Sequence, residues 1–178
     1  EIELELKMIA DVGFVGMPNA GKSTLLSNIT AHKVKIGDYP FTTLVPNLGY
    51  IQFEDYSRIT FADIPGLIEG AHKNKGLGFE FLKHVERNRA LIFVLDASDE
   101  NCTPIEAFEI LSHELKTYSP TMLDKPFLIA LNKCECEGAK EQIKAFRQKY
   151  PNQKCIAISA KEGKNLKELI AEIATFSF

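Results

Sequence analysis

The chain alternates between short apolar runs and longer amphipathic segments. Six runs are nearly continuous in apolar residues and have the length of strands buried on both faces of a sheet. These runs cover residues 12–15, 49–53, 59–61, 91–95, 127–131 and 155–158. Helical periodicity is present in residues 22–30, 78–88, 104–118, 139–150 and 166–175. Because strands and helices alternate, we predict an α/β fold of three layers with a mainly parallel six-stranded sheet.

One pair of predicted strands departs from this alternation. Residues 49–53 and 59–61 are joined only by the polar sequence EDYSR, which is too short for a helical crossover. We therefore predict an antiparallel hairpin, with one antiparallel strand at the edge of the sheet. Residues 1–9 begin with the alternating sequence EIELELK, which suits either a half-buried strand or a connection from another domain.

Composition narrows the class of protein. The 178 residues suffice for one domain (1–178), and 45% hydrophobic with 25% charged residues is typical of a globular protein. The net charge of -3 argues against a nucleic-acid module that depends on overall positive potential. Of four cysteines, only Cys134 and Cys136 are close together, so we predict free thiols instead of a zinc site. No apolar run approaches the roughly 20 residues of a membrane span, so we expect a cytoplasmic protein. No dimer surface is evident in the sequence, so we expect a monomer.

The segment GMPNAGKS lies between the first predicted strand and the first predicted helix. It matches G-x-x-x-x-G-K-[ST] in the strand-to-helix context that this motif requires. The glycines allow backbone N–H groups to face inward, and the helix N-terminus favours anionic phosphates. Lys22 would reach the β- and γ-phosphates, and the Ser23 hydroxyl would bind Mg²⁺. A glycine-rich turn that binds nothing would explain the glycines, but it would not explain Lys22 followed by Ser23. We predict a polyphosphate site formed by Gly16, Met17, Pro18, Asn19, Ala20, Gly21, Lys22, Ser23 and Thr24.

Two further segments fit a sensor of the γ-phosphate. The sequence FADIPG ends a predicted strand at Asp63, which can hold Mg²⁺ through water, while the Gly66 N–H can bond the γ-phosphate. Ile64 and Pro65 lie between them in the same turn. In YPFTTLVPN, either Thr42 or Thr43 would complete the Mg²⁺ shell while the γ-phosphate is bound. A plain surface loop is the alternative interpretation of these threonines.

The ends of two later strands suit a purine base. LIALNKCE supplies Asn132, Lys133 and Glu135, where GTP-binding proteins usually carry N-K-x-D. Glu135 offers the same bidentate carboxylate to the guanine edge, one methylene longer. ISAKEG supplies Ser159, Ala160 and Lys161, and the Ala160 N–H would bond the guanine oxygen. The alternative is that both are polar turns with solvated side chains.

Together these motifs resemble the Obg family of P-loop GTPases. The resemblance rests on GMPNAGKST, YPFTTLVPNLG, DIPGLIEGAHKNKGLG and FLKHVERNRALIFVLD, and it covers essentially all of the chain. It implies a G domain from a bacterial GTPase that assists assembly of the large (50S) ribosomal subunit and responds to guanine nucleotides in stress. Residues 1–9 would then be a linker or strand from an N-terminal domain.

The resemblance also implies roles for individual residues. Thr43 instead of Thr42 would be the Mg²⁺ ligand beside Ser23 and Asp63, and Lys22, Thr43 and Gly66 would act in catalysis. The segment implied to line the nucleotide is Phe41, Thr42, Thr43, Leu44 and Val45.

One residue departs from the family pattern. Glu135 replaces the usual aspartate. The related YchF-type proteins carry an acid of this length in a changed motif, and they accept ATP. An ATP-using P-loop hydrolase is therefore the alternative. Asn132 and Lys133 are retained, and FLKHVERNR resembles Obg more closely, so we favour GTP.

The sequence lacks two groups that would speed nucleotide hydrolysis, a water-orienting glutamine and a nearby arginine, and this predicts slow turnover. Leu67 follows Gly66 where Ras-like enzymes place a water-orienting glutamine, and none of the four arginines lies in residues 41–45. We expect turnover on the order of 10⁻⁴ to 10⁻³ per second without partners. Asn19 resembles the phosphate-loop asparagine of potassium-stimulated GTPases, so we also expect modest K⁺ stimulation. A simple turn residue is the alternative.

A cluster of basic residues follows the sensor segment. It would suit phosphate contacts with rRNA, which weaken steeply with salt. A solvated helix face with Glu80 and Glu86 interleaved is the alternative interpretation, and the sequence alone favours it. The basic residues are His72, Lys73, Lys75, Lys83, Arg87 and Arg89.

Overall fold

A computed structural model describes residues 10–30, 47–63, 82 and 85–176, and the backbone of residues 32–34. Within these residues a seven-stranded sheet is packed between helices. The strands are β1 (Ala10–Val15), β2 (His32–Val34), β3 (Asn47–Gln52), β4 (Arg58–Asp63), β5 (Asn88–Asp96), β6 (Phe127–Asn132) and β7 (Cys155–Ala157). The helices are α1 (Lys22–Ile29), α2 (Pro104–Tyr118), α3 (Ala139–Lys149) and α4 (Leu166–Ile173), with a 3₁₀ turn at Met122–Asp124.

The sheet has the strand order β2-β3-β4-β1-β5-β6-β7. Strands β4, β1, β5, β6 and β7 pair in parallel, whereas β3 is antiparallel to both of its neighbours. The predicted α/β fold with a mainly parallel sheet and one antiparallel strand is therefore confirmed. Among the described residues the sheet has seven strands, one more than predicted, because the short β2 pairs outside β3 and makes β3 the second strand from the edge. Three residues carry too little alternation to distinguish β2 from a loop in the sequence.

The predicted hairpin joins β3 to β4. The Phe53 N–H donates to the Ser57 carbonyl at 2.9 Å, and the Tyr56 N–H donates to the Phe53 carbonyl at 3.0 Å. Asp55 accepts hydrogen bonds from the Ser57 hydroxyl at 2.6 Å and from its N–H at 3.0 Å, and these bonds lower the pKa of Asp55. Tyr56, at the tip of the hairpin, has φ 64°, a backbone conformation that favours glycine. Its side chain is 82% exposed.

Two hydrophobic cores flank the sheet. Because side chains alternate along a strand, successive residues of β5 enter opposite cores. Leu91, Phe93 and Leu95 pack with α2 and α3, while Ala90, Ile92 and Val94 pack with α1 and α4. All six side chains are essentially inaccessible to solvent, so β5 lies at the centre of the three predicted layers.

The helix predictions hold closely where the structure describes them. Helix α2 has the predicted bounds, because Pro104 occupies its first turn and Thr103 caps it. The Thr103 hydroxyl accepts from the Glu106 N–H at 3.3 Å, and the Thr103 N–H donates to the Glu106 carboxylate at 2.9 Å. The predicted helix at 78–88 falls largely outside the described residues. Its predicted end is wrong, because Asn88 already begins β5, where it is buried.

The described residues include all four cysteines and four α-helices. All four cysteines are free, and no group of three metal-binding side chains occurs among the described residues. None of the helices within those residues combines the length and hydrophobicity that crossing a bilayer requires. The residues at 1–9 lie outside the described part.

Candidate nucleotide-binding site

Close packing fixes the two glycines of the phosphate loop. Gly16 follows β1 directly, and a Cβ atom there would lie 2.4 Å from the Val94 carbonyl oxygen of β5. Gly21 has φ 98°, and a Cβ atom there would lie 2.2 Å from Nδ2 of Asn132. Any side chain at either position would collide with its neighbour. Because these two glycines lack side chains, the loop can pack closely against β5 and β6.

Asn19 also has a left-handed backbone conformation. Its φ is 63°, and its side chain is exposed. Asparagine tolerates this conformation better than most residues, which accounts for Asn19 as a turn residue. The described geometry adds no support for the expected potassium contact, which stays a prediction.

The Lys22 ammonium lies across the phosphate loop. It donates hydrogen bonds to the carbonyls of Gly16 at 2.9 Å and Met17 at 3.0 Å. Burial lowers the pKa of Lys22, and the negative charge of Asp63 opposes that effect. A partly desolvated cation at the mouth of an amide-lined loop is stabilised by an anion placed beside it.

Ser23 and Asp63 meet at the carboxyl ends of β1 and β4. The Ser23 hydroxyl donates to Oδ2 of Asp63 at 2.5 Å, and Asp63 is only 2% exposed. Its other oxygen, Oδ1, is buried and has no hydrogen-bond partner within the described residues. A buried carboxylate oxygen without a donor, next to a hydroxyl, offers the oxygen ligands that Mg²⁺ prefers. These two residues therefore fit the metal role that the sequence predicted.

Asn132 ties the phosphate loop to the end of β7. Its side chain is buried at 2% exposure, and its amide donates to the Ala20 carbonyl at 2.8 Å. Its oxygen accepts from the Ala160 N–H at 2.9 Å. The same N–H was predicted to bond a guanine oxygen, so a bound base would share this donor with Asn132 or displace it.

Lys133 is held by a residue that the sequence analysis missed. Lys133 has φ 63°, and its ammonium bonds the carboxylate of Asp96 at the end of β5. Asp96 also accepts from the Ser98 N–H at 2.8 Å and its hydroxyl at 2.6 Å. Burial alone would raise the pKa of Asp96, but the bonds from Lys133 and Ser98 prevail and lower it. Its position after the last apolar residue of a parallel strand was the signal that could have identified it.

The remaining base residues lie at the same edge of the sheet. Glu135 and Lys161 are exposed, which leaves their charges accessible to a ligand. Ser159 is buried, and its backbone exchanges two hydrogen bonds with Lys164 at 3.2 and 3.1 Å. Asn28 of α1 donates to the Ala160 carbonyl at 2.5 Å. No local sequence signal marks Asn28, because its contact joins residues far apart in the chain.

The described structure thus gathers the predicted residues that follow β1, β4, β6 and β7. Two predicted segments lie outside the described residues: Phe41–Val45, which includes Thr42, Thr43 and Leu44, and the turn Ile64, Pro65 and Gly66.

Of the predicted basic cluster, Arg87 and Arg89 are described. Arg89 lies 4.0 Å from Asp11, and both arginines remain at least partly accessible.

A second concave region lies away from these residues. It is a groove of about 580 Å³ between α2, the 3₁₀ turn and the C-terminal end of α3, lined in part by Phe108, Phe127 and Tyr150. None of the predicted site residues lines it. The predicted site residues that the structure describes lie instead at the carboxyl edge of the sheet, which is where ligands bind in parallel α/β folds.

Comparison with known proteins identifies the family to which the chain belongs. A family model described as "50S ribosome-binding GTPase" matches residues 11–133. GTPase Obg of Protochlamydia amoebophila is 51% identical over 97% of this chain and 52% of that protein. GTPase Obg of Desulfitobacterium hafniense is 50% identical over 94% of this chain and 40% of that protein. The chain thus spans about half the length, or less, of these curated relatives.

Solved structures share the fold. A crystal structure of an Aquifex aeolicus Era variant bound to GDP and AlF₄⁻ has a TM-score of 0.70 at 28% identity, covering 94% of this chain and 56% of that one. The cytosolic domain of T. maritima FeoB has a TM-score of 0.68 at 20% identity, covering 93% of this chain and 63% of that one, which shows the fold alone. Since the family model matches more than half of the chain, and curated Obg proteins match nearly all of it, the chain belongs to the 50S ribosome-binding GTPase family and, within it, to the Obg group.

Proposed function

We propose that this chain binds GTP with Mg²⁺ and hydrolyses it slowly to GDP and phosphate, acting as a molecular switch. The observation that carries the proposal is the convergence of Lys22, Ser23 and Asp63 beside the phosphate loop. The names of the relatives support the choice of nucleotide and do not favour the ATP-using alternative.

The described residues have complementary roles in this proposal. Backbone N–H groups of the loop and the start of α1 bind the β-phosphate, and Lys22 neutralises charge on the β- and γ-oxygens. Ser23 would hold Mg²⁺ directly, and Asp63 would hold it through water. An ion held there would neutralise negative charge that develops on the phosphate oxygens during transfer. Positioning and charge neutralisation account for most of the rate enhancement in phosphoryl transfer.

The switch itself is assigned to residues outside the described part. Thr43 would complete the Mg²⁺ shell, and the Gly66 N–H would bond the γ-phosphate. Both contacts depend on the terminal phosphate, so loss of that phosphate releases two segments at once. With Leu67 after Gly66 and without an arginine in residues 41–45, hydrolysis would proceed at roughly 10⁻⁴ to 10⁻³ per second.

Glu135 is the residue proposed to recognise the guanine base. Its carboxylate would accept two hydrogen bonds from guanine N–H groups, which adenine does not present in the same way. Replacing Glu135 with alanine is expected to weaken GTP binding about 10- to 100-fold, because two charge-assisted bonds are lost. Binding of ATP should not change. Calorimetric titration of both nucleotides, with and without Mg²⁺, measures the effect.

Glu137→Ala is the matched control, because Glu137 is an exposed glutamate two residues away. It should leave GTP binding as in the wild type. If the wild-type chain binds ATP as tightly as GTP, guanine specificity is wrong. If it binds no purine nucleotide in Mg²⁺, the proposed function fails altogether.

We also propose that potassium ions stimulate GTP turnover through Asn19. An ion beside Asn19 would supply positive charge that no arginine provides in residues 41–45. We expect turnover a few-fold higher in KCl than in NaCl at equal ionic strength, with the stimulation reduced in Asn19→Ala. Phosphate release assays measure both. Equal turnover in the two salts would leave Asn19 as a turn residue only.

The proposed partner is the large ribosomal subunit, in the cytoplasm, with the chain itself monomeric. The family description supports the partner, and the exposed Arg89 and partly exposed Arg87 offer cationic groups to rRNA phosphates. Such contacts release counterions, so binding should fall steeply as salt rises. We expect co-sedimentation with 50S subunits to be greater with a non-hydrolysable GTP analogue than with GDP, and to decline between 50 and 200 mM salt as expected from counterion release. Equal recovery in both nucleotide states would contradict a switch.

A further inference from the structure

We propose that Asn28 of α1 is a positioning residue for guanine recognition, acting through the Ala160–Lys161 peptide group. This inference rests on the proposed function. Asn28 is an exposed side chain near the C-terminal end of α1, and its amide donates to the Ala160 carbonyl at 2.5 Å. Among the described residues its side chain makes no hydrogen bond to the phosphate loop, and Asn28 lies in no nucleotide motif of the sequence.

The contact fixes the orientation of a peptide group. A trans peptide is planar, so the N–H of Lys161 points away from the carbonyl of Ala160. By drawing that carbonyl toward α1, Asn28 aims the Lys161 N–H away from the helix. Asn132 fixes the preceding peptide group, since its oxygen accepts from the Ala160 N–H at 2.9 Å. Two asparagines therefore set two successive backbone donors in the loop predicted to bind the guanine oxygen.

The two asparagines reach the loop from different elements. Asn132 ends β6, whereas α1 begins at Lys22, beside the phosphate loop. Asn28 lies six residues further along the helix, or about 9 Å at 1.5 Å per residue. One rigid helix thus connects the cation that would bind phosphate with the loop that would bind the base. Loss of the Asn28 bond should disturb the base and leave the phosphate contacts intact.

Two substitutions test this role. Asn28→Ala removes the donor, and Asn28→Asp keeps the shape but places a carboxylate oxygen against the Ala160 carbonyl. The probes are GDP and the diphosphate of 2-aminopurine riboside, which lacks the 6-oxygen, each titrated calorimetrically in Mg²⁺. We expect Asn28→Ala to weaken GDP binding about 5- to 10-fold and Asn28→Asp to weaken it further. Affinity for the 2-aminopurine nucleotide should stay within about two-fold of the wild type for both variants.

Controls separate this effect from folding and charge. Ser27→Asp adds the same charge at an exposed neighbour on α1 and should leave GDP affinity unchanged. The urea midpoint of Asn28→Ala should stay close to that of the wild type, because the better helix propensity of alanine offsets part of the cost of the lost hydrogen bond. Unchanged GDP affinity in Asn28→Ala, or equal losses for both nucleotides, would overturn the inference. Failure of the wild-type chain to bind GDP would overturn the proposed function as well.

Discussion

Replacing Lys22 with alanine is expected to reduce GTP turnover by about 10²- to 10³-fold, the cost typical of losing one preorganised charge-stabilising group. The Lys22 ammonium lies across the loop, where it donates to the carbonyls of Gly16 and Met17, and burial lowers its pKa. Developing charge on the transferred phosphoryl group would therefore lose its nearest fixed cation. Single-turnover phosphate release with saturating GTP measures the loss of the chemical step.

The same substitution should cost little stability. A buried cation whose pKa is lowered is partly uncompensated in the nucleotide-free protein, so its removal relieves a desolvation cost. Lys144→Ala, at an exposed position on α3, is the matched control and should change neither turnover nor the free energy of unfolding. If Lys22→Ala retained turnover within a few-fold of the wild type, the loop would not be the catalytic phosphate site.

Replacing Asn132 with alanine is expected to destabilise the nucleotide-free chain by about 2 to 3 kcal/mol. The substitution leaves the Ala20 carbonyl and the Ala160 N–H without the partners that Asn132 now provides, in a buried setting. It should also weaken GDP and ADP binding together, because the phosphate loop loses its tie to β6. Urea unfolding and calorimetric titration measure the two effects separately.

Asn152→Ala provides the comparison, since Asn152 is exposed in the turn before β7. It should leave both the unfolding free energy and the nucleotide affinity within error of the wild type. A loss of stability without any loss of affinity in Asn132→Ala would confine Asn132 to a structural role. A change of guanine preference alone, with ADP unaffected, would contradict its proposed link to the phosphate loop.

The sequence predicted those features whose cause is local. Helix α2 has the predicted bounds, and its start is determined by two neighbours in the chain, Pro104 and the capping Thr103. The hairpin followed from a connection too short for a crossover, and the phosphate loop followed from its motif between a strand and a helix. In each case the residues that determine the structure are neighbours in the chain.

The missed features depend on contacts between distant segments. Asn88 was predicted to end a helix but begins β5, where it lies buried against Gly13 of β1. β2 exists because β3 offers a partner, and its own three residues carry no pattern. Asn28 and Asp96 acquire roles from Ala160 and Lys133, which only the tertiary structure brings near. The site was thus predictable as a set of motifs, but the groups that support those motifs were not.

The strand order divides the nucleotide site unequally. The proposed phosphate loop follows β1, which lies between β4 and β5, whereas the two loops proposed to bind the base follow β6 and β7, the last two strands of the sheet. The part of the ligand common to all nucleoside triphosphates would therefore meet the interior of the sheet, and the part that distinguishes one nucleoside from another would meet its flank. Substitutions that retune the preferred base can accumulate along that flank without remodelling the hydrolytic centre. Glu135, a longer acid in the place of the usual one, is an exposed residue on that flank.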